Sequence, residues 1–149
     1  TNTKRNVLVN LDDIKACIPH RAPFLWLDEV VTLEENSIHA RKFVSPEIDI
    51  FQGHYPDHPV LPGVILCEAA MQAAAVFIAK TDAPDAGKVP VATRLNNTKF
   101  RRMVKPGETI DIQVTLTEKL GGAYFFSGKI SVGKETAVRL EFAVTAADA

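Results

Sequence analysis

Between Val64 and Ala79 the chain carries only two polar residues, Glu68 and Gln72, and no other stretch constrains the fold as strongly. Pro62 and Gly63 open it, which suits a first helical turn whose amides have no intrahelical partner. A helix that is apolar on every side belongs inside a protein or a membrane. Its longest unbroken apolar run, Ala73 to Ala79, is far below the roughly 20 residues that a bilayer requires. No membrane span is expected. The segment is predicted to be a core helix that the rest of the chain encloses.

That enclosing structure reads as β. Phe24 to Glu34 and Ser37 to Ser45 are rich in β-branched and apolar residues, and with Glu35 and Asn36 between them they predict a hairpin. Thr109 to Leu116 sets Ile110, Ile112, Val114 and Leu116 against polar alternates. Ala123 to Val132 and Glu135 to Thr145 continue a meander through turns at Gly121–Gly122 and Gly133–Lys134. Such a sheet is half-buried, one face on the core. Asn10 and Asp13 predict a capped short helix to Cys17, stopped by Pro19. Thr81 to Lys88 reads as a surface loop. With no internal repeat and no dividing linker, the expectation is a single α+β domain over residues 1–149.

Charge narrows the partners. The 149 residues hold 17 Lys and Arg against 18 Asp and Glu, a net charge of -1, which argues against nucleic acid or anionic membrane held by bulk electrostatics. A charged partner must meet a local patch. Cys17 and Cys67 form neither a disulfide scaffold nor a zinc site, and Thr1–Asn10 carries no hydrophobic signal core, so a reducing, cytoplasmic setting is expected.

A carboxyl on an apolar helix demands an explanation, because burial without a partner is costly or keeps the group protonated. Glu68 and Gln72 stand four apart, on one face, so the amide can orient the carboxyl. Satisfaction by a buried Arg or by Gln72 alone is the purely structural alternative. Upstream, Phe51 to Gly63 contains Pro56, Pro59 and Pro62, which stiffen a loop bearing His54 and lead it into a helix start whose free amides can stabilise an anion. That is the layout of an acid–base site. His54 and His58 have a metal-like spacing only on a helix, which Pro56 and Pro59 oppose, so no metal site is expected; the His58 ring is predicted to bond loop backbone. His20 is within reach of the same cleft, with a satisfied structural role favoured, and His39 is read as solvent-facing. Neither a GxGxxG nor a GxxxxGK[ST] motif supports a nucleotide cofactor.

At these residues the sequence resembles the (3R)-hydroxyacyl-[acyl carrier protein] dehydratases of type II fatty acid synthesis, the FabZ family, built on the hot-dog fold. The matching pieces are Ile18-Pro19-His20-Arg21-Ala22-Pro23-Phe24-Leu25, Phe51-Gln52-Gly53-His54-Tyr55-Pro56, His58-Pro59-Val60-Leu61-Pro62-Gly63-Val64, and Glu68 with Gln72. Lys99-Phe100-Arg101-Arg102 and Val104-Lys105-Pro106-Gly107 look like the family's basic strand and turn. Trp26, Met103 and the order Ala69-Ala70-Met71 depart from the usual pattern and bear on chain length and substrate.

The resemblance implies a long helix wrapped by a curved antiparallel sheet, in a homodimer that shares its active sites; many members assemble three dimers into a hexamer. It places the catalytic His on His54, the catalytic Glu on Glu68 and the oxyanion donor on the Gly63 amide, with Gln72 in support. It implies no cofactor beyond the phosphopantetheine arm of an acidic acyl carrier protein, which Arg94, Lys99, Arg101, Arg102 and Lys105 are expected to dock. Rival readings are a specialised acyl or polyene pathway dehydratase, a dehydratase/isomerase, a hot-dog thioesterase and a non-catalytic acyl-binding subunit. The isomerase generally has Asp where Glu68 stands, and a His with a Glu fits elimination better than hydrolysis.

Overall fold

The computed structural model describes residues 8–148, so the reading of Thr1–Val7 lies outside the described residues. Asn10 caps α1 (Leu11–Cys17), its side-chain oxygen accepting the Asp13 amide at 3.0 Å. The hairpin follows as β1 (Glu29–Leu33) and β2 (Ser37–Phe43), joined antiparallel. β1 is much shorter than the apolar run from Phe24 to Glu34. Its first half has no strand partner because the Phe24 carbonyl and the Trp26 amide are both taken by the Gln72 side chain.

After a 3-10 turn at Asp49–Gln52 comes α2 (Gly63–Thr81). The remaining strands are β3 (Lys88–Phe100), β4 (Thr109–Leu120), β5 (Ala123–Val132) and β6 (Glu135–Asp148). All pair antiparallel in one sheet of order β1-β2-β4-β5-β6-β3. α2 lies in the curve of this sheet and packs on β2 through β6. From Ile65 to Ile78 every α2 side chain is buried except Glu68 and Met71. Ala69, Ala70, Ala73 and Ala74 keep the helix slim, and Gly128 lets it come close: a Cβ there would sit 3.0 Å from Leu140 and 3.6 Å from Ala70. By length and composition α2 could cross a bilayer, yet 67% of that stretch is buried within the protein itself. This is the enclosed helix that the polar-poor segment predicts.

β3 is the strand that the residue pattern does not announce. Pro90 and the Asn96–Asn97 pair interrupt its period, and the register slips between Ala92 and Arg94 and again between Asn96 and Lys99. Asn97 sits at φ 47°, the left-handed region that asparagine tolerates at such a bulge. As an edge strand β3 has no outer partner among the described residues, and it leaves Val91, Leu95 and Phe100 exposed. The opposite edge, β1, is covered by the Val9–Val30 bridge. A long open edge with apolar side chains is a surface another strand can pair with.

Beyond β3 the chain is pinned by ion pairs. Arg102 meets both Glu108 oxygens at 2.9 and 2.8 Å and Glu135 at 2.9 Å, while the Lys105 amide donates to Glu108 at 2.8 Å. The Arg102 guanidinium pulls the Glu108 carboxyl down to about 2 from an ordinary 4.5. A lowered folded-state value means that the pair's stabilisation is complete above pH ~4.5 and is lost as pH falls toward ~2. Urea midpoints measured between pH 6 and pH 2.5 should therefore fall more steeply for the wild type than for Glu108→Gln; parallel curves would refute the assignment.

Candidate active site

His54 follows the 3-10 turn and is held from three sides. Its amide donates to the Ile50 carbonyl at 3.1 Å, its carbonyl accepts the Val60 amide at 3.1 Å, and its ring Nδ1 lies 2.8 Å from the Val60 carbonyl. A carbonyl can only accept, so Nδ1 carries the proton and Nε2 is left as the acceptor of the neutral ring. Tyr55 stacks on the imidazole with centroids 4.1 Å apart. The loop's far end is fixed where the Leu61 amide donates to the Val104 carbonyl at 2.8 Å, which ties it to the turn braced by Arg102.

His54, Val60, Gly63 and Val64 line a cavity of about 700 Å³ together with Phe100, Arg101 and Met103. Gly63 is the first residue of α2, where amides lack intrahelical acceptors and the helix dipole is positive. A Cβ there would lie 2.6 Å from the Phe100 ring, so a larger residue would have to displace that ring. The aromatic edge thus rests directly on the helix start.

Glu68 lies elsewhere. It lines a second cavity of about 200 Å³ with His20, Met71, Gln72, Ala75, Pro90 and Val91, and its side chain is 26% exposed. Gln72 is almost fully buried. Its Oε1 accepts the Trp26 amide at 2.8 Å, and its Nε2 donates to the Phe24 carbonyl at 2.9 Å and to Glu68 Oε2 at 3.1 Å. These partners fix which end of the amide is oxygen. His20 Nε2 stands 3.6 Å from the same Glu68 oxygen.

Several sequence expectations need correction here. His20 is no satisfied structural histidine: it reaches the Glu68 cleft and leaves its buried Nδ1 without a partner among the described residues. The His58 ring is exposed and makes no hydrogen bond among the described residues; its backbone, not its ring, pairs with Tyr55. His39 does not simply face solvent, since Asp111 holds it at 2.7 Å and also binds Arg41. Arg102 is spent on Glu108 and Glu135, which leaves Arg94, Lys99, Arg101 and Lys105 as the exposed cations of that segment. Cys67 is a buried thiol pushed up by its surroundings, as expected of an inert one.

The fold is shared with two solved structures. One, titled the dehydratase heterocomplex ApeI:P from Xenorhabdus doucetiae, aligns with a TM-score of 0.77 at 20% identity over 91% of both chains. The other, an uncharacterized protein from Pyrococcus horikoshii, aligns at 0.64 and 14% identity over 83% of this chain and 85% of that one. The architecture is the hot-dog fold. In sequence, residues 18–141 match the FabA-like domain. The 3-hydroxyacyl-[acyl-carrier-protein] dehydratase FabZ of Magnetococcus marinus is 39% identical over 136 residues, 89% of this chain and 88% of that protein. The FabZ of Rickettsia bellii is 36% identical over 135 residues, 90% and 93% respectively. The chain belongs to the FabA-like family, on its FabZ dehydratase branch.

Proposed function

We propose that His54 of one copy and Glu68 of a second dehydrate a (3R)-hydroxyacyl group, carried as a thioester on acyl carrier protein, to the trans-2-enoyl product. The chain is a 3-hydroxyacyl-[acyl carrier protein] dehydratase of fatty acid synthesis. The observation that carries the shared site is the separation of its parts: His54 and Gly63 line one cavity and Glu68 lines another. A homodimer joined along the open β3 edge is the arrangement that unites them, and the apolar residues left on that edge support it.

The reaction needs a base at C2, a donor for the thioester oxygen as negative charge gathers there, and an acid for the departing hydroxyl. His54 Nε2 takes the C2 proton. The amides at Gly63 hold the developing oxyanion. Glu68 gives its proton to the C3 hydroxyl, the C3–O bond breaks with its electron pair, water leaves and the C2–C3 double bond forms. His54 then returns its proton through solvent and Glu68 is reprotonated. No metal or redox partner enters this balance. The setting that goes with this chemistry is the cytoplasm.

Offering a 3-hydroxyacyl thioester and following enoyl absorbance, free thiol and double-bond position separates dehydration from hydrolysis and isomerisation; thiol release without enoyl product would overturn the reading. Carrier docking has its own test. Lys99→Glu with Lys105→Glu, both exposed and outside either cavity, should raise KM for the acidic carrier substrate about tenfold or more while leaving a small pantetheine thioester unaffected. Equal losses on both substrates would point away from docking.

A further inference from the structure

We infer that His20 is a positioning residue for Glu68: its Nε2–H shares with Gln72 the task of occupying Glu68 Oε2, so that the transferable proton resides on Oε1. The inference rests on the proposed acid role of Glu68. Its basis is the geometry around one oxygen. Gln72 donates to Oε2 at 3.1 Å, and His20 Nε2 stands 3.6 Å from the same atom.

The tautomer of His20 follows from burial. Its Nδ1 is buried and has no partner among the described residues. A protonated Nδ1 would be a donor stranded without an acceptor, the costlier of the two states, whereas a bare Nδ1 strands only a lone pair. The ring proton therefore belongs on Nε2, facing Glu68. The distance exceeds a hydrogen bond as it stands; polar contacts in unliganded sites commonly tighten when the site is filled.

The ring is also placed firmly enough for that role. Pro19 precedes it, and Arg21 clamps the segment by donating to the carbonyls of Lys15 at 3.0 Å, Ile18 at 2.9 Å and His20 itself at 2.7 Å. These bonds tie His20 to the C-terminal end of α1. Among the residues lining the cleft, His20 and Glu68 are the only titratable ones; Met71, Ala75, Pro90, Val91, Ala92 and Val144 are apolar. Among the described residues lining the cleft, His20 is thus the one titratable neighbour of the carboxyl.

Two donors on Oε2 have a chemical consequence. An oxygen already accepting two hydrogen bonds is a poor site for a proton, so protonated Glu68 carries it on Oε1. After transfer to the departing hydroxyl, both donors stabilise the carboxylate left behind. The electron pair of the Oε1–H bond remains on Glu68 and the proton leaves in water, so His20 itself neither gains nor loses a proton.

The test compares His20→Leu, which removes the donor, with His20→Gln, whose Nε2 reaches about as far as the imidazole's. The substrate is a small 3-hydroxyacyl pantetheine thioester. His20→Leu should lower kcat about 10- to 100-fold, the range expected for a lost hydrogen bond to a charged group, with KM changed less than threefold. The alkaline limb of its kcat profile should move to higher pH, because the carboxylate formed on proton release has lost a donor. His20→Gln should recover kcat to within about fivefold of wild type and restore the limb. In a Glu68→Gln background neither substitution should cost anything further. A kcat for His20→Leu within twofold of wild type, or equal losses in both variants with the alkaline limb unmoved, would overturn the inference. Full activity in Glu68→Gln alone would instead sink the acid assignment. If His20→Leu does not fold, the limb of His20→Gln and its additivity with Glu68→Gln decide alone: an additive loss refutes the coupling.

Discussion

His54→Ala and Glu68→Gln, purified separately, should each lose about 10³-fold in kcat/KM, as removal of a general base or acid typically does. Co-expressed and paired at random, they should regain roughly a quarter of wild-type activity: half of the dimers are mixed, and each mixed dimer rebuilds one of its two sites. The recovered site takes His54 from the Glu68→Gln protomer and Glu68 from the His54→Ala protomer. A second pairing sharpens the test. A protomer carrying both substitutions, joined to a wild-type protomer, should yield no working site if the pair is shared, but one working site if each protomer keeps its own. Differently tagged protomers allow mixed dimers to be isolated for both measurements. Mixed dimers of the single variants no more active than the single variants themselves would place both residues in one protomer, contrary to the separate cavities that they line.

Much of this arrangement is legible before any coordinates are seen, and the exceptions have physical causes. α2 announces itself because an apolar stretch with two polar residues has few places to go, and β4, β5 and β6 because their alternation reflects one wet face. β3 hides because an edge strand need not alternate, and its bulges break what period there is. The shortened β1 is invisible for another reason: a side chain 46 residues away takes the backbone group that a strand neighbour would have bonded. At the site, the loop prolines and the Glu68–Gln72 spacing point to the segments that line the two cavities. His20 is undervalued because its significance depends on the distance to Glu68, which no local pattern encodes. Arg102 is overvalued for the converse reason, since a run of cations does not reveal that Glu108 and Glu135 fold back onto one of them.

Gln72 carries the second large expectation, on stability as well as on rate. It is 1% exposed, and its amide supplies three hydrogen bonds, two of them to the backbone of the 24–26 segment. Gln72→Leu would fill the space while stranding the Phe24 carbonyl and the Trp26 amide. A buried group left unpaired costs about 1–3 kcal/mol; with the Trp26 amide buried and the Phe24 carbonyl part-buried, a loss of about 3 kcal/mol is expected. For a domain of this size that corresponds to a fall in Tm of about 6–12 °C. Activity should fall further than stability alone dictates, because Glu68 loses the donor that aims it. Gln72→Glu separates the two effects. It keeps an acceptor for the Trp26 amide but has no donor for Phe24 or Glu68 and sets a second carboxyl beside the first, so it should unfold earlier than wild type and show the lower kcat of the two variants. Thermal unfolding followed by circular dichroism, with kcat measured well below each midpoint, reads both. A Tm within 2 °C of wild type for Gln72→Leu would mean that water replaces the amide at this site. The entry segment and the acid would then be independent, and the tie between how the chain packs and how it protonates its substrate would have to lie elsewhere.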